Sequence, residues 1–290
     1  MDLLNSKSLN IRKNDLGRKL NEEELINELK NCIGVIAGTE NYSEDVLSNL
    51  SGLRIISRLG VGLDNIDIEK SKENGVKIYT TKTSPAPAVA ELTLGLILDL
   101  LRQISIHNSQ MKAGTWKKNM GFLLAGKTLG IIGMGTIGKK LVEITKGMNL
   151  NYLAFDKMEH ESFAKENNVE YCDFDELIER SDIISIHLSL SNETSGLIDS
   201  SALEKMKPTA ILINTSRGEC VSENALIKAL DKKQLAGVAL DVYSHEPYKG
   251  PFLKYDEVIC MPHIGAYARE IRIKMEMEAA ENLIRGLAIG

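Results

Sequence analysis

The sequence predicts an α/β protein of two domains, the larger built on a doubly wound parallel sheet. Three observations carry this. The chain has 290 residues, more than one hydrophobic core usually organises. From Lys127 onward, short apolar strand-like runs alternate with helical stretches, the signature of βαβ units. Within that series, Gly133-Met134-Gly135-Thr136-Ile137-Gly138 joins an apolar strand to an apolar helix.

The elements follow in order. Residues 1–20 are polar and weakly patterned, and no strand is evident before Asn21, so the N-terminal part reads as short. Apolar spacing predicts a helix over 22–30. Short apolar runs predict strands at 34–37, 53–57 and 77–80, with Gly60, Gly62 and a helix over 67–74 between the last two. Pro85 and Pro87 are expected to break the chain. A long apolar helix is predicted over 89–107, then a loop containing Gly114 and Trp116. Strands are predicted at 128–132, 151–155, 183–187, 210–214, 237–240 and 258–261. The helices between them include 138–148, 200–206 and 223–232, and the tail over 270–285 is helical. Near-continuous apolar strands are what a parallel sheet covered on both faces requires.

Composition narrows the function. Apolar residues make up 43% and charged residues 26%, the balance of a globular protein in water. The net charge of -5 lacks the basic excess of a nucleic-acid binder. The longest apolar stretch, 92–101, is interrupted by Asp99, followed by Arg102, and falls short of the roughly 18 residues of a membrane helix. No basic start followed by an apolar run marks a signal peptide. Cys32, Cys172, Cys220 and Cys260 are scattered without a CxxC pair, which argues against a disulfide framework or a metal site and fits a reducing cytoplasm.

The glycine run is the first chemical signal. Gly133 permits a tight turn, Gly135 lets backbone approach a pyrophosphate, and Gly138 lets the helix pack close to its strand. With Thr136 and Ile137 it forms a helix N-terminus that offers N–H groups and a positive dipole to phosphates. Asp156 ends the next strand, where a carboxylate accepts from ribose hydroxyls and repels a 2′-phosphate. NAD is therefore expected over NADP, with Lys157 partly offsetting the repulsion.

Three further segments lie just past predicted strands, where open α/β sheets bind ligands. Asn214-Thr215-Ser216-Arg217-Gly218 offers a planar guanidinium suited to a carboxylate. The second runs from Ala239 through Asp241 to Glu246-Pro247. The third is Met261-Pro262-His263-Ile264-Gly265-Ala266. An imidazole there can move one proton near neutral pH, and a carboxylate on its other ring nitrogen would fix the tautomer. Taken singly, each residue fits equally a surface arginine at a strand end or a satisfied structural histidine.

Taken together, these blocks resemble the signatures of the D-isomer-specific 2-hydroxyacid dehydrogenases, most of all the phosphoglycerate branch. Further matching stretches are Arg58 to Asp67, Ala90-Glu91-Leu92-Thr93, Gly114-Thr115-Trp116 and Met206-Lys207-Pro208. The resemblance implies a Rossmann-type NAD domain over 86–267 and a smaller flavodoxin-like substrate domain from 1–85 with 268–290. It implies a small 2-hydroxy or 2-keto acid as substrate, and a homodimer formed around 91–102 and Trp116. His263 would be the acid/base, Glu246 its partner and Arg217 the substrate anchor. Thr215, Asp241 and Gly265 would line the cofactor, Asp241 at the nicotinamide carboxamide. Val61 and Gly62 would hold the substrate carboxylate and Arg58 a distal phosphate, though Arg58 could equally be a salt-bridged surface residue. The acid stays open between a phosphoglycerate type, a glyoxylate or hydroxypyruvate type and phosphite. Relatives that act as NAD-sensing corepressors are the alternative outside catalysis.

Overall fold

The protein is described by a computed structural model, which covers residues 2–7 and 9–288. Met1, Ser8, Ile289 and Gly290, which include both outer limits of the expected substrate domain, lie outside the described residues. The chain forms two compact units, Met1–Pro85 with Tyr267–Gly290, and Ala86–Ala266.

The smaller unit is built on a parallel sheet of β1 (Gly34–Ala37), β2 (Ile55–Arg58) and β3 (Lys77–Thr80), in the order β1-β2-β3. Among the described residues it has no earlier strand, because 1–20 lacks an apolar alternation to bury. Helix Glu22–Leu29 starts at a capping box in which Asn21 and Glu24 satisfy each other's backbone N–H. Its Leu25 and Leu29 join Val46, Leu47, Leu53 and Ile56 in one core cluster. Ile55 joins a second cluster with Ala280 and Leu283 of the C-terminal helix Arg269–Gly286. Successive residues of β2 thus point to opposite faces, as the period of two requires. Two polar bonds fix the returning helix: Ser57 Oγ donates to the Ala279 carbonyl at 2.8 Å and Asn282 Nδ2 to that of Thr80 at 3.1 Å.

The larger unit carries a seven-stranded parallel sheet. Its strands are β4 (Thr128–Ile132), β5 (Asn151–Phe155), β6 (Val169–Tyr171), β7 (Ile183–Ile186), β8 (Ile211–Asn214), β9 (Gly237–Leu240) and β10 (Val258–Cys260). The order is β10-β9-β8-β7-β4-β5-β6, so the winding reverses between β4 and β7. β7, β8 and β9 are buried along their whole length, which is why their sequences read as unbroken apolar runs. Ile184, Ile186, Leu212 and Val238 fill one core, and Leu129, Ile131, Ile183, Ile211 and Ile213 the other. Helix Ala86–Arg102 covers the second face and packs on helix Thr136–Thr145. It lies so close to β9 that a Cβ on Gly237 would meet Leu100 at 3.0 Å.

Three expectations are corrected. Pro87 does not break the chain; it sits in the first turn of Ala86–Arg102, where its missing N–H has no helical acceptor to lose. The helix expected over 89–107 is two helices, Ala86–Arg102 and Ile104–Lys112, divided by Gln103 at φ +53°. Nothing in Ile104–Lys112 is buried, so no core contact holds it in line with its predecessor. β6 went unpredicted because its three residues, Val-Glu-Tyr, expose Glu170 and carry little apolar pattern. Among the described residues, no helix is long and apolar enough to cross a membrane.

Candidate active site

The glycine turn follows β4, at the reversal of the sheet. Gly133 has φ +98°, and a Cβ there would lie 2.5 Å from the His187 carbonyl oxygen at the end of β7. Only glycine fits both the dihedral and the space. Gly135 is exposed with nothing within 4 Å of where its Cβ would be, so a ligand can approach the bare backbone. A Cβ on Gly138 would lie 2.5 Å from the Gly133 carbonyl oxygen, which keeps this helix tight on its strand. Gly135 is the N-cap of Thr136–Thr145 and no side chain caps it, so Thr136 and Ile137 open a helix end available to an anion.

Asp156, just past β5, is tied to the same turn. Its Oδ2 accepts from the Met134 N–H at 2.6 Å and its Oδ1 from the Met158 N–H at 3.0 Å. The carboxylate is therefore held beside the turn. Lys157 pairs with Glu193. A cradle with bare backbone, an open helix N-terminus and a fixed carboxylate fits a dinucleotide.

The other blocks follow three adjacent strands. Arg217 follows β8, Asp241 and Glu246 follow β9, and His263 follows β10. Imidazole and carboxylate meet: His263 Nδ1 lies 2.9 Å from Glu246 Oε2 and 3.1 Å from Oε1. The Nδ1 proton belongs to that contact, which leaves Nε2 for a reactant. The Tyr243 N–H donates to Glu246 Oε1 at 3.2 Å, and rings of Tyr243, Tyr248 and Phe252 stack beneath this loop.

Arg217 is shaped by its own turn. Asn214, fully buried, accepts from the Ser216 N–H and hydroxyl at 3.0 and 2.9 Å and donates to the Arg217 carbonyl at 2.8 Å. Arg217 Nη1 donates to the Ser216 carbonyl at 2.8 Å. Gly218 packs against the Tyr243 and Ser244 backbone so closely that any Cβ would collide with it, which draws the arginine turn onto the loop carrying Glu246. Thr215 Oγ1 lies 3.1 Å from Thr93 Oγ1 on the covering helix.

Asp241 is 1% exposed. Its Oδ1 accepts from the Ile264 N–H at 2.8 Å and its Oδ2 from the Gly265 N–H at 2.7 Å. Burial pushes its carboxyl above the usual range, against the pull of those two amides and of His263. Asn214 and Thr93 stand inside stretches singled out in the sequence, but no role was given to either. The Asn-x-Ser spacing was a usable signal for Asn214, since such turns place an amide over the second residue on. Thr93 gave none.

Arg58, Val61 and Gly62 belong to the other unit. Val61 is exposed. Arg58 is buried rather than a surface residue, and its Nη1 donates to the Leu59 carbonyl at 2.5 Å beside Gly60 at φ +144°.

The class is plain from the cofactor-binding fold and its match: this is an NAD-dependent oxidoreductase. Residues 94–265, more than half the chain, match the NAD-binding domain of the D-isomer specific 2-hydroxyacid dehydrogenases. The chain is 39% identical over 256 residues to a glyoxylate reductase of Thermococcus litoralis, covering 85% of this chain and 77% of that protein. It is 36% identical over 278 residues to a D-3-phosphoglycerate dehydrogenase of Archaeoglobus fulgidus, covering 93% of this chain but 53% of that one. The solved TT0316 protein of Thermus thermophilus superposes with a TM-score of 0.89 at 30% identity, covering 99% of this chain and 93% of that one. The chain belongs to the D-isomer-specific 2-hydroxyacid dehydrogenase family.

Proposed function

We propose that the protein interconverts a short 2-keto acid and its D-2-hydroxy acid, with His263 as acid/base, Glu246 as its partner and Arg217 as the substrate anchor. The observation that carries this is the His263–Glu246 pair, formed from loops after β10 and β9 of the sheet that holds the glycine turn. The glycine turn and Asp156 would hold NAD, which when bound would supply or accept the hydride. In reduction, protonated His263 donates from Nε2 to the oxygen that gains charge at C2. Glu246 steadies the imidazolium through Nδ1 and fixes its orientation. Arg217 takes the substrate carboxylate with its planar fork and stabilises the developing charge. In oxidation neutral His263 removes the hydroxyl proton. Thr215, Asp241 and Gly265 are the further residues that would line the cofactor.

Arg58 favours an acid without a distal phosphate, since the residue is buried and its Nη1 is turned to the Leu59 carbonyl of its own loop. Relatives named glyoxylate reductase and hydroxypyruvate reductase support the same choice. The test is NADH absorbance with glyoxylate, hydroxypyruvate, pyruvate and 3-phosphohydroxypyruvate. The highest kcat/KM is expected with glyoxylate or hydroxypyruvate. Preference for the phosphorylated acid overturns the substrate choice, and no oxidation of NADH with any acid overturns the activity. We place the protein in the cytoplasm as a homodimer, with the exposed Trp116, Met120 and Leu123 covered by the second subunit.

A further inference from the structure

The β9–β10 pairing extends one residue past β10, where the Met261 N–H donates to the Leu240 carbonyl at 2.8 Å. There the ladder stops. Pro262 has no N–H, and His263 turns to φ +56°, a left-handed conformation that L side chains seldom adopt. The N–H groups of the next two residues both end on Asp241, at 2.8 and 2.7 Å. Asp241 is itself anchored, its own N–H donating to the Asn214 carbonyl at 2.9 Å. A Cβ on Gly265 would lie 3.1 Å from Asp241 Oδ2 and 3.3 Å from Val89, so loop and carboxylate are in close contact.

We infer that Asp241 is the positioning residue for His263: its buried carboxylate grips the two amides after the histidine and holds the left-handed turn that aims the imidazole. The inference rests on the proposed role of His263 as acid/base. Glu246 fixes the ring at Nδ1, and Asp241 fixes the backbone that carries it. A carboxylate suits the task because both its oxygens accept. An amide in its place must turn an N–H2 toward one of two N–H donors, which costs one bond and the charge. This duty exists before any cofactor binds, and so separates from a contact to the nicotinamide.

The test compares the wild-type protein and Asp241→Asn without cofactor, by amide hydrogen exchange, and then measures kinetics. Exchange at Ile264 and Gly265 is expected to quicken about tenfold or more in the variant, the scale of one lost charge-assisted bond, while Ile259 in β10 is unchanged. kcat at saturating NADH is expected to fall about tenfold or more, because aim is lost even when the cofactor site is full. Wild-type exchange at Ile264 and Gly265 overturns the inference, whatever happens to kcat. Should β10 loosen together with the loop, Gly265→Ala decides, since it pries the loop from an intact carboxylate. Faster exchange at Ile264 and lower kcat then support the clamp, and unchanged values of both overturn it. A wild-type protein that does not turn over any 2-keto acid defeats the proposed function, while the exchange comparison still judges the clamp.

Discussion

Replacing Glu246 with glutamine keeps the shape and removes the charge facing His263. The carboxylate lies 2.9 and 3.1 Å from Nδ1, with the two side chains 18% and 34% exposed, so the contact is partly screened by water. A hydrogen bond to a charged group is worth about 1.5–3 kcal/mol, and the exposure of the imidazole places this one toward the lower half. If that energy is felt only when the ring is charged, it falls on the chemical step, and about 1.4 kcal/mol is a tenfold change. Glu246→Gln is therefore expected to lower kcat about 10- to 30-fold, with the Kd for NADH within about twofold. Steady-state turnover followed by NADH absorbance, beside NADH titration by fluorescence, gives both quantities. A kcat within twofold of wild type would refute the reasoning, as would a loss explained wholly by weaker NADH binding.

Three other outcomes follow from the geometry. Asp156→Ala should raise the NADPH to NADH ratio of kcat/KM about tenfold or more, because a charge that repels a 2′-phosphate and accepts from ribose is gone; an unaltered ratio refutes its role. Gly133→Ala forces a Cβ onto the His187 carbonyl oxygen at φ +98°, and should cost roughly 2–4 kcal/mol by urea unfolding and abolish NADH binding; a stable variant that binds NADH refutes the turn geometry. His187 is half-buried as a residue but its Nδ1 is buried, and among the described residues that atom has no hydrogen-bond partner. Burial lowers its pKa to about 4. Above pH 6.5 the ring is neutral folded and unfolded alike. As pH falls from 6.5 toward 4 the unfolded chain takes the proton first, so stability drops, by at most about 3 kcal/mol. Urea unfolding at pH 7 and pH 4.5 should show a smaller loss in His187→Gln than in wild type, and equal losses refute this.

The parts of the fold that could be read were those whose physics is local. β7, β8 and β9 are buried on both faces and so are apolar throughout, and the glycine turn states its dihedral needs in its own residues. β6 could not be read, because Val-Glu-Tyr at an edge exposes Glu170 and carries little apolar pattern. The break at Gln103 has neither glycine nor proline to mark it. At the site, the residue types were legible and the contacts were not. That Glu246 meets His263 depends on β9 lying beside β10, and strand order is a property of the whole sheet. The bonds from Asp241 to the following loop need the same knowledge.

The smaller unit is assembled from segments that flank the larger one in the sequence, and this bears on how the protein comes into being. Ile55 and Ser57 wait for Leu283 and Ala279, which are more than 220 positions later. During synthesis the ribosome releases everything needed for the seven-stranded sheet before it releases the helix that shields this flank of β2. The nascent chain therefore carries an open apolar seam on β2 until Arg269–Gly286 has been made. A change that disturbs Arg269–Gly286 therefore strikes β2, far from it along the sequence.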